Sequence, residues 1–123
     1  MKFNLDRPAT TYVVRSYTPG LIRIGDRDFS DSVIVTASAL IERWRPRRMA
    51  ELAPVDLEPV LALQPEVLLI GSGEHQVFPA PELLAALYAA RLGFEIMATG
   101  AACRTYNVLV AEGREVAAAL MIE

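Results

Sequence analysis

The spacing of hydrophobic and polar positions changes character partway along the chain. Through residue 36 the apolar residues come in short β-branched and aromatic runs separated by turn formers. Thr11-Tyr12-Val13-Val14-Arg15-Ser16-Tyr17 reads as a strand stopped by Pro19-Gly20, and Leu21-Ile22-Arg23-Ile24 reads as a second. Gly25-Asp26 then offers a two-residue turn, with glycine at the positive-φ position of a type II′ hairpin, before Arg27-Asp28-Phe29. Ser32-Val33-Ile34-Val35-Thr36 is a further strand, so the first third is expected to be an antiparallel, strand-rich layer. Residues 39–44 fit either a short helix or an edge strand, and Pro46 ends either. Residues 54–63 predict a short helix with Asp56 as its N-cap and Pro59 in the first turn, where a missing N–H costs little.

Beyond Pro65 strands and helices alternate. Val67-Leu68-Leu69-Ile70 is a continuous apolar run bounded by Pro65 and Gly71, the pattern of a strand buried on both faces. Residues 81–92 give the clearest helix: Leu84, Leu87, Tyr88 and Arg91 or Leu92 recur at helical spacing, alanine fills the remainder, and Gly93 follows as the residue beyond the C-terminus. Phe94-Glu95-Ile96-Met97 is the next strand, Thr99 is expected to cap a second long helix that Gly113 closes, and residues 115–122 form the last strand. Residues 107–121 could instead fold as a hairpin through Glu112-Gly113. The helix is preferred because Thr99-Gly100 is a cap signal, Ala101, Ala102, Leu109 and Ala111 favour helix, and parallel strands need a crossover. The expected class is therefore α/β, with strands 67–71 and 94–98 adjacent, parallel and joined by a right-handed crossover. No repeat, low-complexity tract or linker interrupts residues 1–123, which read as one α/β domain.

Composition narrows the function. With 53% hydrophobic and 22% charged residues, the 123-residue chain has enough apolar surface for a packed core. A net charge of −3 argues against general nucleic-acid binding. Arg43, Arg45, Arg47 and Arg48 around Trp44 form a basic cluster that reads as a solvated surface segment, with contact to an anionic partner as the alternative. One cysteine and one histidine supply neither a disulfide nor a zinc ligand set, so a reducing compartment is expected and no metal or cofactor is implied. Residues 1–10 lack the apolar core of a signal peptide, and the run 116–122 is far shorter than the approximately 20 residues of a membrane span, so a cytoplasmic protein without membrane insertion is expected.

Candidate chemistry gathers after the two central strands, because ligands of open α/β sheets collect beyond the carboxyl ends of their strands. Gly71, Ser72 and Gly73 follow the first, and Thr99 and Gly100 follow the second; Arg104 and Asn107 lie three apart on one helix face, while Ala102, Tyr106, Leu109 and Val110 can turn toward the sheet. These seven polar-edge positions, from Gly71 to Asn107, are the candidate ligand or interaction site: loop amides and a guanidinium could hold an anion. The Gly-x-Gly lacks both the third glycine of the dinucleotide fingerprint and a Lys-Ser/Thr tail, which rejects both nucleotide motifs. For Arg104, pairing with an internal carboxylate or loop carbonyls is favoured over anion binding. Cys103 sits near a helix start beside Arg104, which would favour a thiolate, but a buried packing role is preferred because no resolving cysteine exists. His75 could approach Cys103 and reads more simply as an exposed loop residue.

The stretch Leu68-Leu-Ile-Gly-Ser-Gly-Glu74, Phe78-Pro79, Gly93-Phe-Glu-Ile-Met97, Thr99-Gly100 and Ala102-Cys-Arg-Thr-Tyr-Asn107 with its continuation to Leu120 resembles a family of small α/β domains long catalogued as of unknown function. Its eukaryotic relatives include the mitochondrial NADH:ubiquinone oxidoreductase (complex I) assembly factor 3 and an adipogenesis-associated Mth-type domain protein. The resemblance covers the second half closely, and Ser32 to Thr36 with Trp44 suits the first half. It implies three layers: a central mixed sheet, flanking helices and an added N-terminal antiparallel β-hairpin layer. It also implies interaction or assembly rather than turnover, with motif positions at Gly71, Gly73, Cys103, Arg104, Tyr106 and Asn107 and no catalytic residue to carry over. The chain departs from the mitochondrial members in lacking an Arg-rich, Ser-rich targeting extension, which favours a bacterial cytoplasmic relative. The leading expectation is a non-enzymatic domain with a protein partner, serving respiratory or other membrane complexes. The competing one is a small-anion or nucleotide-binding protein, with enzymatic activity still open, that uses Gly71, Ser72, Gly73 and Arg104.

Overall fold

The computed structural model describes residues 11–123; the polar lead-in expected over residues 1–10 lies outside them. Strands β1 (Val14–Thr18), β2 (Leu21–Ile24) and β3 (Arg27–Phe29) form a small antiparallel sheet in that order. Gly20 and Gly25 turn the chain between them with φ of +89° and +60°. β1 starts at Val14 rather than Thr11, because Tyr12 bonds through its N–H to Ala37 and not to a strand partner. Val14 lies opposite Ile24 and Ser16 opposite Arg23, so Arg15 is an extra residue, a bulge in β1.

The main sheet contains β4 (Ser32–Val35), β5 (Leu40–Trp44), β6 (Val67–Gly71), β7 (Gly93–Met97) and β8 (Val116–Leu120), in the order β5-β4-β8-β6-β7. β6 pairs in parallel with both β7 and β8, while β4 is antiparallel to β8 and to β5. The ambiguous segment before Pro46 is thus a strand: Leu40 and Ile41 find partners in Val35 and Ile34. Helices α1 (Glu58–Ala62), α2 (Pro81–Ala89) and α3 (Thr99–Ala111) complete the chain, and residues 107–121 are helix then strand, not a hairpin. The α/β class and the antiparallel N-terminal strands are as the residue pattern predicts, and the three layers with a mixed central sheet are as the family resemblance implies.

Alternation along the buried strands makes the layers. Leu69 of β6 and Val116, Ala118 and Leu120 of β8 share one core with Ala102 and Tyr106 of α3 and with Ile22 and Ile24 of β2. Leu68 and Ile70 face the other way, with Ala117, Ala119 and Met121, against Leu83 and Leu87 of α2 and Val60 of α1. Side chains of successive strand residues point to opposite faces, so a strand apolar at every position is buried on both.

Three capping expectations are corrected. α2 ends at Ala89, and the left-handed residue after it is Arg91 (φ +59°), not Gly93. Gly93 is already the first residue of β7, opposite Val67, so the chain must reverse before it. Asp56 is not an N-cap; it sits inside a 3-10 turn, Pro54–Leu57, and its carboxylate reaches back to accept the Ala53 N–H at 2.9 Å. Arg45 Nε donates to its other oxygen at 2.9 Å, which fixes the carboxylate in that direction. Thr99 is the first residue of α3 and Ala98 is its N-cap, without a side-chain cap bond. The threonine hydroxyl is used elsewhere.

Candidate functional site

The loop after β6 and the start of α3 are locked to one another. The Thr99 hydroxyl donates to the Met121 carbonyl and accepts the Gly73 N–H, each at 2.8 Å, while the Thr99 N–H donates to the Gly73 carbonyl at 2.8 Å. Ser72 donates its N–H to the Met97 carbonyl (2.8 Å) and its hydroxyl to the His75 carbonyl (2.8 Å), and its oxygen accepts the Val77 N–H. Both side chains are buried, so each polar group must find a partner inside the protein. Gly73 has φ of +103°, and a Cβ there would stand 2.6 Å from the Glu123 carbonyl carbon. At Gly71 a Cβ would meet Thr99 Cα at 2.9 Å. The glycines therefore serve close approach of three segments. The Ser72 and Gly73 amides are occupied by Met97 and Thr99, so the two hold the loop in place and leave no donor there for an anion.

Gly100, Arg104 and Asn107 lie in a different place, a groove of about 340 Å³ between β1 and α3 that Arg15, Tyr17 and Cys103 also line. Asn107 forms its wall: Oδ1 accepts the Val14 N–H at 3.0 Å and Nδ2 donates to the Val14 carbonyl at 2.7 Å, so the amide pairs with β1 as a neighbouring strand would. The preceding residue, Tyr106, turns into the core and donates its hydroxyl to the Tyr12 carbonyl at 2.8 Å, and burial pushes its phenol well above the usual range. Tyr17 donates to the Ile122 carbonyl at 3.3 Å; burial raises its pKa, with the charge of Glu74 adding to it.

Cys103 is buried, and burial pushes its thiol up to about 12 against the smaller opposite effect of the Arg104 guanidinium. It is protonated at neutral pH and a weak nucleophile. Arg104 is exposed and, among the described residues, makes neither an ion pair nor a side-chain hydrogen bond, which corrects the favoured expectation of an internal partner. The reason is geometric: the guanidinium folds over the first turn of its own helix, with Nη1 3.6 Å from where a Gly100 Cβ would stand. His75 is also exposed, with Glu74 at 3.9 Å.

Three of the four arginines around Trp44 are tied into the chain, Arg43 being the exception among the described residues. Arg45 pairs with Asp56, Arg47 with Asp31 and Glu123, and Arg48 with Glu123, while the Trp44 indole donates to the Asp56 carbonyl at 2.9 Å. Sequence reasoning missed Arg15 and Tyr17 as groove residues. An arginine between Val14 and Ser16 carries no signal until the bulge is known.

Comparison with known proteins adds context to this geometry. The family described as "Protein of unknown function (DUF498/DUF598)" matches residues 14–121. A Francisella tularensis protein named 13 kDa major membrane protein is 30% identical over 103 residues, covering 83% of this chain and 84% of that one. NADH dehydrogenase (ubiquinone) 1 alpha subcomplex assembly factor 3 of Bos taurus is 25% identical over 118 residues, which are 94% of this chain; the match spans 63% of the bovine protein's length. A Xanthomonas campestris protein solved by NMR has the same fold with a TM-score of 0.85 at 38% identity, over 99% of this chain and 92% of that one.

Proposed function

The chain belongs to the DUF498/DUF598 family of proteins of unknown function, and from that membership we propose that it is a non-enzymatic domain that assists the assembly of a membrane-bound protein complex. The observation that carries the reading is how the shared motif is spent. Thr99, Tyr106 and Asn107 direct their polar atoms to the backbone of other segments, at Gly73, Met121, Tyr12 and Val14, and Cys103 is a buried protonated thiol. Side chains so committed hold a scaffold together rather than move protons or attack a substrate. The bovine relative is named an assembly factor, which supports a protein partner.

Large apolar side chains on the surface support it further. Phe78 is 66% exposed and Tyr88 70%, and aromatic residues are favoured anchors of protein interfaces. No helix among the described residues is long and apolar enough to cross a membrane. The Francisella relative is nonetheless named a membrane protein, which suits a domain working from the cytoplasm on membrane-bound partners.

The test is deletion of the gene in the source cell followed by native-gel analysis of its respiratory complexes. Assembled complex should fall and subcomplexes should accumulate while subunit synthesis continues, with recovery on expressing the wild-type chain or Cys103→Ala. An unchanged set of complexes refutes the assembly reading.

A further inference from the structure

We infer that the groove between β1 and α3 is a binding site for a small phosphate-bearing dianion, gripped between the guanidiniums of Arg15 and Arg104. The site goes beyond the assembly reading and stands or fails on its own measurement.

Charge is the first support. Arg23, Arg27, Arg45, Arg47, Arg48 and Arg114 each hold a carboxylate. Among the described residues Arg15, Arg43, Arg91 and Arg104 hold none, and of these four Arg15 and Arg104 line the same groove. Two uncompensated guanidiniums on opposite walls match the charge of a phosphate monoester, whose oxygens accept paired N–H donors.

Geometry is the second. The bulge inserts Arg15 as an extra residue in β1, and bulges re-aim side chains. At Gly100 the two walls come together: Arg104 Nη1 from α3 and Tyr17 Cδ2 from β1 lie 3.6 and 3.8 Å from where a Cβ would stand. A volume of about 340 Å³ accommodates a phosphate with a small organic group. The groove wall is neutral where it could have opposed an anion: Cys103 stays protonated and the Asn107 amide is engaged with Val14. The carboxylate whose charge reaches Tyr17 is Glu74, in the loop after β6. The 71–73 amides take no part, so the anion site differs from the one the glycine loop suggests.

The experiment titrates inorganic phosphate into the ¹⁵N-labelled chain at constant ionic strength, with chloride as the control, and follows the backbone amides. Saturable shifts confined to residues 15–17 and 100–107 are expected. Arg15→Gln and Arg104→Gln should each weaken binding by about tenfold or more, the usual effect of losing a charge-assisted hydrogen bond. Both arginines are exposed, so the variants' spectra should otherwise match wild type, which separates lost binding from lost folding. Glu74→Gln should tighten binding by removing the nearby negative charge. Vesicles of phosphatidylcholine with and without phosphatidic acid locate the source: sedimentation with phosphatidic acid that needs both arginines supports the site with a lipid headgroup as ligand, and a response to dissolved phosphate alone supports it with a soluble ester. Absence of saturable shifts, or shifts that persist in Arg15→Gln/Arg104→Gln, overturns the proposal.

Discussion

Replacing Thr99 by valine isolates the joint between β6, α3 and the segment after β8. Valine keeps the branched shape and the volume of threonine but removes the hydroxyl, which leaves the Gly73 N–H and the Met121 carbonyl without the partner each has at 2.8 Å. Thr99 is fully buried, so water cannot easily take its place. With about 1–3 kcal/mol for each orphaned buried group, the two together put the loss at about 2–6 kcal/mol. Thr99→Ser gives the contrast: it keeps both hydrogen bonds and deletes one methyl, a cost of about 1 kcal/mol. Packing alone predicts the reverse order, because valine fills the site and serine does not. The assay is urea unfolding followed by circular dichroism. With a slope of about 1–3 kcal/mol per molar urea, Thr99→Val should lower the midpoint by roughly 1 M or more. If Thr99→Val proves as stable as wild type, or more stable than Thr99→Ser, the joint is not held by hydrogen bonds and the reasoning is wrong.

Gly73→Ala combines a left-handed backbone with a Cβ 2.6 Å from the Glu123 carbonyl carbon, and should destabilise by several times the roughly 1 kcal/mol of an ordinary glycine effect, read by thermal unfolding. Cys103→Ala should cost only about 1 kcal/mol, and the native thiol should react with iodoacetamide far more slowly at pH 8 than after unfolding, since burial holds it protonated up to about 12. Asp56 has its pKa lowered chiefly by the hydrogen bond from Arg45, so its contribution is present above the unfolded carboxylate value of about 3.9 and is lost as pH falls through the lower folded value. Urea unfolding between pH 7 and pH 2 should therefore show Asp56→Asn weaker at neutral pH and less sensitive to acid than wild type.

The fold was readable wherever a local pattern and a tertiary need coincide. The apolar run Val67 to Ile70, bounded by Pro65 and Gly71, has the pattern of a doubly covered strand and is one, and the choice of helix over hairpin for Thr99–Ala111 followed in part from the crossover that parallel strands require. Caps were less readable because side chains answered to distant segments. Thr99 looks like an N-cap and instead bridges Gly73 and Met121; Asp56 looks like one and instead answers to Arg45 and Ala53. The left-handed turn after α2 fell to Arg91 because Gly93 was needed for pairing. At the candidate site, helical spacing did put Arg104 and Asn107 on one side of α3, facing the same groove. It could not reveal that Asn107 is occupied by Val14, nor that a bulge brings Arg15 to the opposite wall, since both depend on a contact between segments far apart in sequence.

The place of β8 has a consequence for how the molecule is made. It follows every other described strand in sequence and yet lies between β4 and β6, with Val33 opposite Leu120 and Leu68 opposite Ala117. As the polypeptide leaves the ribosome, the β1-β2-β3 sheet and the β4-β5 and β6-β7 pairs can form, but β4 and β6 must wait with an unfilled slot between them. Chains dominated by such distant pairings fold slowly, and unpaired strand edges invite other chains to fill them. Release of the last strand is therefore the moment that commits the nascent chain to its sheet, and a stalled or shortened transcript would leave a product prone to aggregate.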